Sequence, residues 1–219
     1  MKTLIVTASS KTKRSQNEMP FLASDKRFIE GLDNKTAKTY QTARNDLLST
    51  LKFNKGPDTN SNLEPDSTIQ YLPAYLRYTG RTYSKISSNA WESLVNSPES
   101  FDCVILSAFY GLIRYDEPIR NYDIKQVTKL PSGQAIGKYW RDQGASDWLF
   151  NYIKNTGVDE VKFVLSTSYS DIIRKNQLMT RLKEELGLSS EDQQFKEGGM
   201  KSMLLRGEYI DNLLLKQLD

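Results

Sequence analysis

Three short apolar runs constrain the fold of this chain most tightly: TLIV at 3–6, CVIL at 103–106 and VKFVL at 161–165. Each is brief, rich in β-branched residues and bounded by polar positions, the pattern of a strand buried on both faces rather than of a helix. The intervening segments carry a different period. TYSKISSNAWESLVNS, QAIGKYWRDQGASDWLFNYIKNTG, SDIIRKNQLMTRLKEELG and EYIDNLLLKQL repeat apolar residues every three or four positions, as amphipathic helices do. In the third of these, Ser170 or Asp171 is available as the cap and Gly187 as the stop, whereas Pro73 leaves IQYLPAYLRYTG ambiguous. Buried strands alternating with long helices predict an α/β fold, with a central, mainly parallel sheet flanked by helices.

The length of 219 residues fits one domain spanning 1–219. Residues of about 20–68 read as a helical insertion and loop, the loop being the polar stretch NKGPDTNSNLEPDS at 54–67. No apolar run approaches the length of a membrane span. The start MKTLIVTASS turns polar too soon for a signal peptide, so a cytoplasmic protein without membrane association is expected.

The sequence contains no histidine and one cysteine, Cys103. That composition excludes histidine-based triads, His-ligated metals, multi-cysteine zinc sites and an intramolecular disulfide. No metal and no cofactor is expected. Any catalysis falls to carboxylates, lysine, tyrosine, hydroxyls or backbone amides. Neither GxxxxGK nor GxGxxG follows a strand, which argues against a nucleotide hydrolase. The net charge of +3 is compatible with a nucleic-acid partner, and residues 1–55 carry eleven lysines or arginines, including KTKR at 11–14.

All three strands run into hydroxyl-rich loops: TASSKTK, SAFYG and STSYS. In a parallel sheet such ends share one edge, where ligands bind. Capping of the following helices is the ordinary alternative for any single loop. Taken together they nominate Ser9, Ser10, Ser107, Tyr110, Gly111, Tyr122, Thr167 and Ser168 as substrate-binding residues. Lys11, Lys13, Arg14, Tyr78, Arg81, Arg114 and Lys201 are the cations and aromatic suited to phosphates and unstacked bases. Asp116, Glu117 and Asp123 are the carboxylates nearest the second strand, where burial would raise a pKa and an arginine would lower it. A salt-bridge lattice that stiffens the loop is the structural alternative for this group.

The combination of SSKTK after the opening strand, YTG at 78–80, SAFYGLIRYDEPIRNYD at 107–123 and a third strand ending in STSY resembles the YaaA-like superfamily, which includes peroxide-stress proteins known for DNA binding. The most specific block is Ser107, Ala108, Tyr110, Gly111, Leu112, Asp116, Glu117, Ile119, Tyr122 and Asp123, similar to shorter, phage- or defence-associated members. The resemblance implies a YaaA-like or uracil-DNA-glycosylase-like fold and chemistry on DNA or modified nucleobases. On that basis the leading expectation is a DNA N-glycosylase acting on DNA with modified bases, glucosylated ones among the candidates, and leaving an abasic site. Asp116, Glu117 or Asp123 would serve the hydrolysis, and Lys11 would be able to form a Schiff base. A non-catalytic DNA-binding stress protein and a small-molecule nucleoside or deazaguanine enzyme are the alternatives.

Overall fold

The computed structural model describes residues 1–15, 27–53 and 71–216. The expected 54–67 loop lies outside the described residues, as does part of the expected 20–68 insertion. Within that insertion the early helix is present: α1, Asn34–Thr50, is opened by Asp33, whose side chain accepts a hydrogen bond from the Thr36 amide.

A five-stranded sheet forms the centre. Strands β1 (Thr3–Ala8), β3 (Phe101–Ser107) and β6 (Glu160–Val164) form on the three apolar runs, the last of which extends one residue past β6, and β1 lies between the other two, parallel to both. Strand β4 (Gly111–Arg114) turns back antiparallel to β3, and β7 (Ser189–Asp192) adds a parallel edge beside β6, giving the order β4-β3-β1-β6-β7. A separate antiparallel pair joins β2 (Tyr71–Pro73) to β5 (Pro118–Arg120).

Strand periodicity divides the core between the two faces of the sheet. Leu4, Val6, Val104, Leu106, Val161 and Phe163 pack against α1, α4 (Ile136–Gln143), α5 (Ala145–Asn155), α6 (Thr167–Ile172) and α7 (Lys175–Leu186). Ile5, Cys103, Ile105 and Val164 face the other way, toward α3 (Ser88–Asn96) and α8 (Gly199–Leu215). Each such side chain fully removed from water contributes about 1.5–3 kcal/mol. Burial also pushes the Cys103 thiol pKa upward, as expected of a core residue.

Several helix boundaries differ from expectation. The segment 134–157 is two helices because Gly144 takes φ 105°, and 170–187 is likewise split at Arg174, which sits at φ 46°. Ser170 and Asp171 therefore lie inside α6 rather than capping α7, while Gly187 ends α7 as expected. Around Pro73 only a four-residue helix forms, α2 (Ala74–Arg77). Lys201 lies in the first turn of α8.

Candidate functional site

The carboxyl ends of β1, β3 and β6 do share one edge. Ser9 continues β1 by donating its amide to Leu106 O, 2.9 Å away. From there the chain is stitched to the segment after α2: Thr79 N donates to Thr12 O, Lys13 forms a β-bridge with Tyr78, and Arg14 N donates to Arg77 O. Gly80 lets the two segments approach closely here: a Cβ there would lie 1.9 Å from Ser10 Oγ, so that the serine would have to rotate away, and 3.2 Å from Ser10 Cβ. Gly207 has a similar role on α8, where a Cβ would come within 2.0 Å of the Thr82 carbonyl oxygen.

These approaches enclose a crevice of about 580 Å³. It is lined by the end of β1 and the segment after it, Thr7 to Thr12, by Val164, Ser166 and Tyr169, and by Thr79 to Ser84 with Met203 and Arg206. Lys11, Arg81 and Arg206 supply three cations, and no carboxylate occurs among the described residues lining the space. Arg206 donates to Ser202 Oγ at 3.1 Å, but its buried Nε has no hydrogen-bond partner among the described residues. Burial lowers the Arg206 pKa, with Asp192 opposing the effect. A buried, unfulfilled guanidinium N–H is costly unless an acceptor arrives.

Behind the crevice lies a cluster of hydroxyls. Tyr83 OH donates to Ala8 O at 3.1 Å, and Ser9 Oγ meets Tyr169 OH at 3.2 Å. Tyr122 OH lies 2.8 Å from Ser107 Oγ and 2.7 Å from Tyr78 OH. Burial raises the pKa of Tyr122, which stays a neutral phenol at physiological pH. Lys13 Nζ stands 3.9 Å from the Tyr122 ring centroid and 5.7 Å from that of Tyr78. Burial lowers its pKa to about 8, Asp123 opposing and Arg77 assisting.

A second cavity, about 720 Å³, shares Thr79, Tyr83 and Ser84 with the crevice. Aromatic rings line it: Tyr83 stacks with Trp91 at 6.2 Å, and Tyr75 lies 5.3 Å from Trp91. Arg14 and Glu92 also line it.

The sequence-nominated residues thus separate into groups. Ser9, Ser10, Lys11 and Arg81 line the crevice; Ser107, Tyr122, Lys13 and Asp123 lie in or beside the hydroxyl cluster; Arg14 and Tyr78 border the aromatic groove. Thr167 lines a neighbouring cavity of about 480 Å³ with Arg174 and Lys175, while Ser168 Oγ accepts from Gln126 and approaches Ser166. Tyr110 is buried and its hydroxyl accepts from Arg120 N, so its ring is core rather than an open stacking surface. Gly111, at φ 75°, turns the chain against Trp140. Lys201 is an exposed residue paired with Glu197 at 3.7 Å.

Arg114, Asp116 and Glu117 are not brought to this edge. Antiparallel β4 returns the chain, so that Arg114 stands opposite Val104 and reaches Asp102 near the start of β3. Arg114 Nη1 donates to both Asp102 oxygens at 2.9 Å and to Tyr152 OH at 3.0 Å, and its Nε donates to Asp116 at 3.0 Å. Burial opposes the charge of Arg114, but Asp102, Tyr152 and Asp116 outweigh it and raise the pKa. Glu117, only 2% exposed, accepts from Phe28 N at 2.7 Å and Arg114 N at 2.9 Å, and lies 3.8 Å from Arg44. Burial raises its pKa despite Arg44. These three form the stiffening lattice weighed as the alternative for this loop. Sequence reading did not single out Tyr169 or Trp91, although STSYS and the α3 pattern contained them.

A profile of the family described as peroxide stress protein YaaA matches residues 1–219. The chain belongs to the YaaA peroxide stress protein family. Of the hydroxyl-rich strand ends on which the resemblance rested, those after β1 and β6 line the crevice, whereas Ser107 at the end of β3 bonds Tyr122 in the hydroxyl cluster behind it. Among the described residues no helix is long and apolar enough to cross a membrane.

Proposed function

We propose that this member of the YaaA family binds DNA, holding backbone phosphate in the strand-edge crevice and an unstacked base in the adjoining aromatic groove. The lining of the crevice carries this reading: Lys11, Arg81 and Arg206 with hydroxyls, and no carboxylate among the described lining residues. An oxyanion there would satisfy Arg206 Nε. The groove across the Thr79–Ser84 wall supplies apolar ring surface, and a cationic channel beside aromatic platforms is the usual physical solution for single-stranded or locally opened nucleic acid. Fluorescence anisotropy of a labelled oligonucleotide across a salt series tests the proposal. Affinity that falls steeply with salt is expected; affinity indifferent to salt contradicts it.

Base excision is a second reading, supported by the juxtaposition of Asp123, Lys13 and Tyr122 beside the crevice. Asp123 is then the carboxylate available to orient water, because Asp116 and Glu117 are engaged in the lattice at the opposite end of β3. An extruded base would enter from the groove side. Mass spectrometry for bases released from plain and modified DNA, glucosylated phage DNA included, separates this reading from binding alone. Release that survives Asp123→Ala would remove Asp123 from the role.

A further inference from the structure

We propose that Lys13 is a nucleophilic amine that captures the open-chain aldehyde of an abasic deoxyribose as an imine. The inference rests on the DNA-binding reading but does not require base excision. Its foundation is the way the fold handles this one ammonium. Lys13 is half-buried, and the bridge to Tyr78 fixes its backbone between two further cross-chain hydrogen bonds, Thr79 N to Thr12 O and Arg14 N to Arg77 O. Its Nζ donates to Lys11 O at 3.2 Å and makes no ion pair among the described residues.

The surroundings suit an amine that must lose its proton. Tyr78 and Arg77 face it from the segment of α2, and Tyr122 and Asp123 from the segment after β5. The two rings attract the ammonium form, and Asp123 does so too. Burial and the Arg77 charge act against it, and they prevail, giving a pKa of about 8. About a quarter of the amine is then neutral at pH 7.5, against roughly 0.1% for an ordinary lysine. Desolvation of this kind is how proteins prepare imine-forming lysines.

The step balances without a redox partner. The lone pair of neutral Nζ adds to the aldehyde carbon, and the carbonyl oxygen takes up a proton, giving a carbinolamine. That oxygen then departs as water while Nζ loses its remaining acidic proton, leaving the imine. Asp123 is placed to relay the proton, and the Tyr122 hydroxyl, bonded to Ser107 and Tyr78, is a donor available to the departing oxygen. Peroxide chemistry on DNA generates abasic sugars, which gives such an amine a substrate in the setting that the family description names.

Two oligonucleotides test the proposal with the full-length protein: one carrying an abasic deoxyribose, the other its tetrahydrofuran analogue, which has no aldehyde. Borohydride is expected to trap a covalent adduct with the first alone, and peptide mass spectrometry to locate it on Lys13. Trapping is expected to fall by at least about tenfold in Lys13→Gln and to persist in Lys138→Gln, a surface control. Its pH profile is expected to rise with a midpoint near 8. Lys13→Gln retaining affinity for the tetrahydrofuran oligonucleotide shows that the variant is folded. An adduct on another lysine, or no adduct while the tetrahydrofuran oligonucleotide binds, overturns the role of Lys13 and leaves the binding reading standing. Failure of both oligonucleotides to bind overturns the two together.

Discussion

Replacing Asp102 by Asn isolates the lattice that holds β4 to β3. In the native protein the Asp102 carboxylate accepts Arg114 Nη1 on both oxygens at 2.9 Å, Tyr152 OH at 2.6 Å and the Cys103 amide at 2.8 Å, and is 1% exposed. The amide keeps the shape but removes the charge that neutralises a buried guanidinium. Breaking a buried pair by removing one partner costs about 3–5 kcal/mol. Asp116 still holds Arg114 Nε at 3.0 Å, so the low end applies, about 3 kcal/mol. For a chain of this length that is roughly a 6–12 °C loss in melting temperature. Calorimetry measures the loss, and oligonucleotide anisotropy below the lowered transition measures binding, which should remain within about threefold of native because the crevice lies at the other end of the sheet. A melting temperature within about 1 °C of native would refute the energetic reasoning. Binding abolished in a folded variant would refute the assignment of this cluster to structure.

Other perturbations probe separate parts of the account. Glu117→Ala removes the acceptor of two buried amides, Phe28 N and Arg114 N, and should cost about 1–3 kcal/mol for each, seen as an earlier urea midpoint with DNA affinity retained. Gly207→Ala drives a methyl into the Thr82 carbonyl, and should destabilise by about 1–3 kcal/mol while weakening binding, since Arg206 shifts with α8. Lys13→Met should stabilise the fold at neutral pH. The native pKa of about 8 lies below the unfolded value near 10.5, so the unfolded chain binds more protons between them and native stability rises with pH across that window. Screened by solvent, the gain from Lys13→Met is on the order of 1–2 kcal/mol below pH 8 and shrinks toward pH 10; a gain constant with pH would contradict the cause assigned to the shift.

The parts of the fold that were legible in sequence are those where burial leaves a compositional mark. Strands β1 and β3 are covered on both faces, so TLIV and CVIL are unbroken apolar runs, and β6 departs from that pattern at Lys162, which pairs with Glu160 and Glu191. Strand β7 reads SSED, and as a partly exposed edge it carries no such mark. Arg174 shows why the helix breaks were missed: nothing in IIRKNQ announces a non-glycine residue at φ 46°. The candidate site was legible where loops follow strands directly, as at Ser9 to Lys11. It was misread after Ser107, because β4 carries the chain back by ~3.4 Å per residue. By Arg114 the loop that began at the ligand-binding edge has reached Asp102, and a pairing across β3 cannot be read from local spacing. Arg206 joined the crevice only through the packing of α8, fixed by Gly207 against Thr82.

The most direct measurement is the salt dependence of oligonucleotide binding for the native protein and for Arg81→Gln and Arg206→Gln. Each removed phosphate contact should reduce the slope of log affinity against log salt by about 0.7–0.9 and weaken binding across sequences alike. The account predicts that reduction for both arginines of the crevice, with Lys201→Gln, outside it, leaving the slope unchanged. Slopes identical in the native protein and the two arginine variants would contradict the placement of DNA phosphate at the carboxyl ends of β1 and β6.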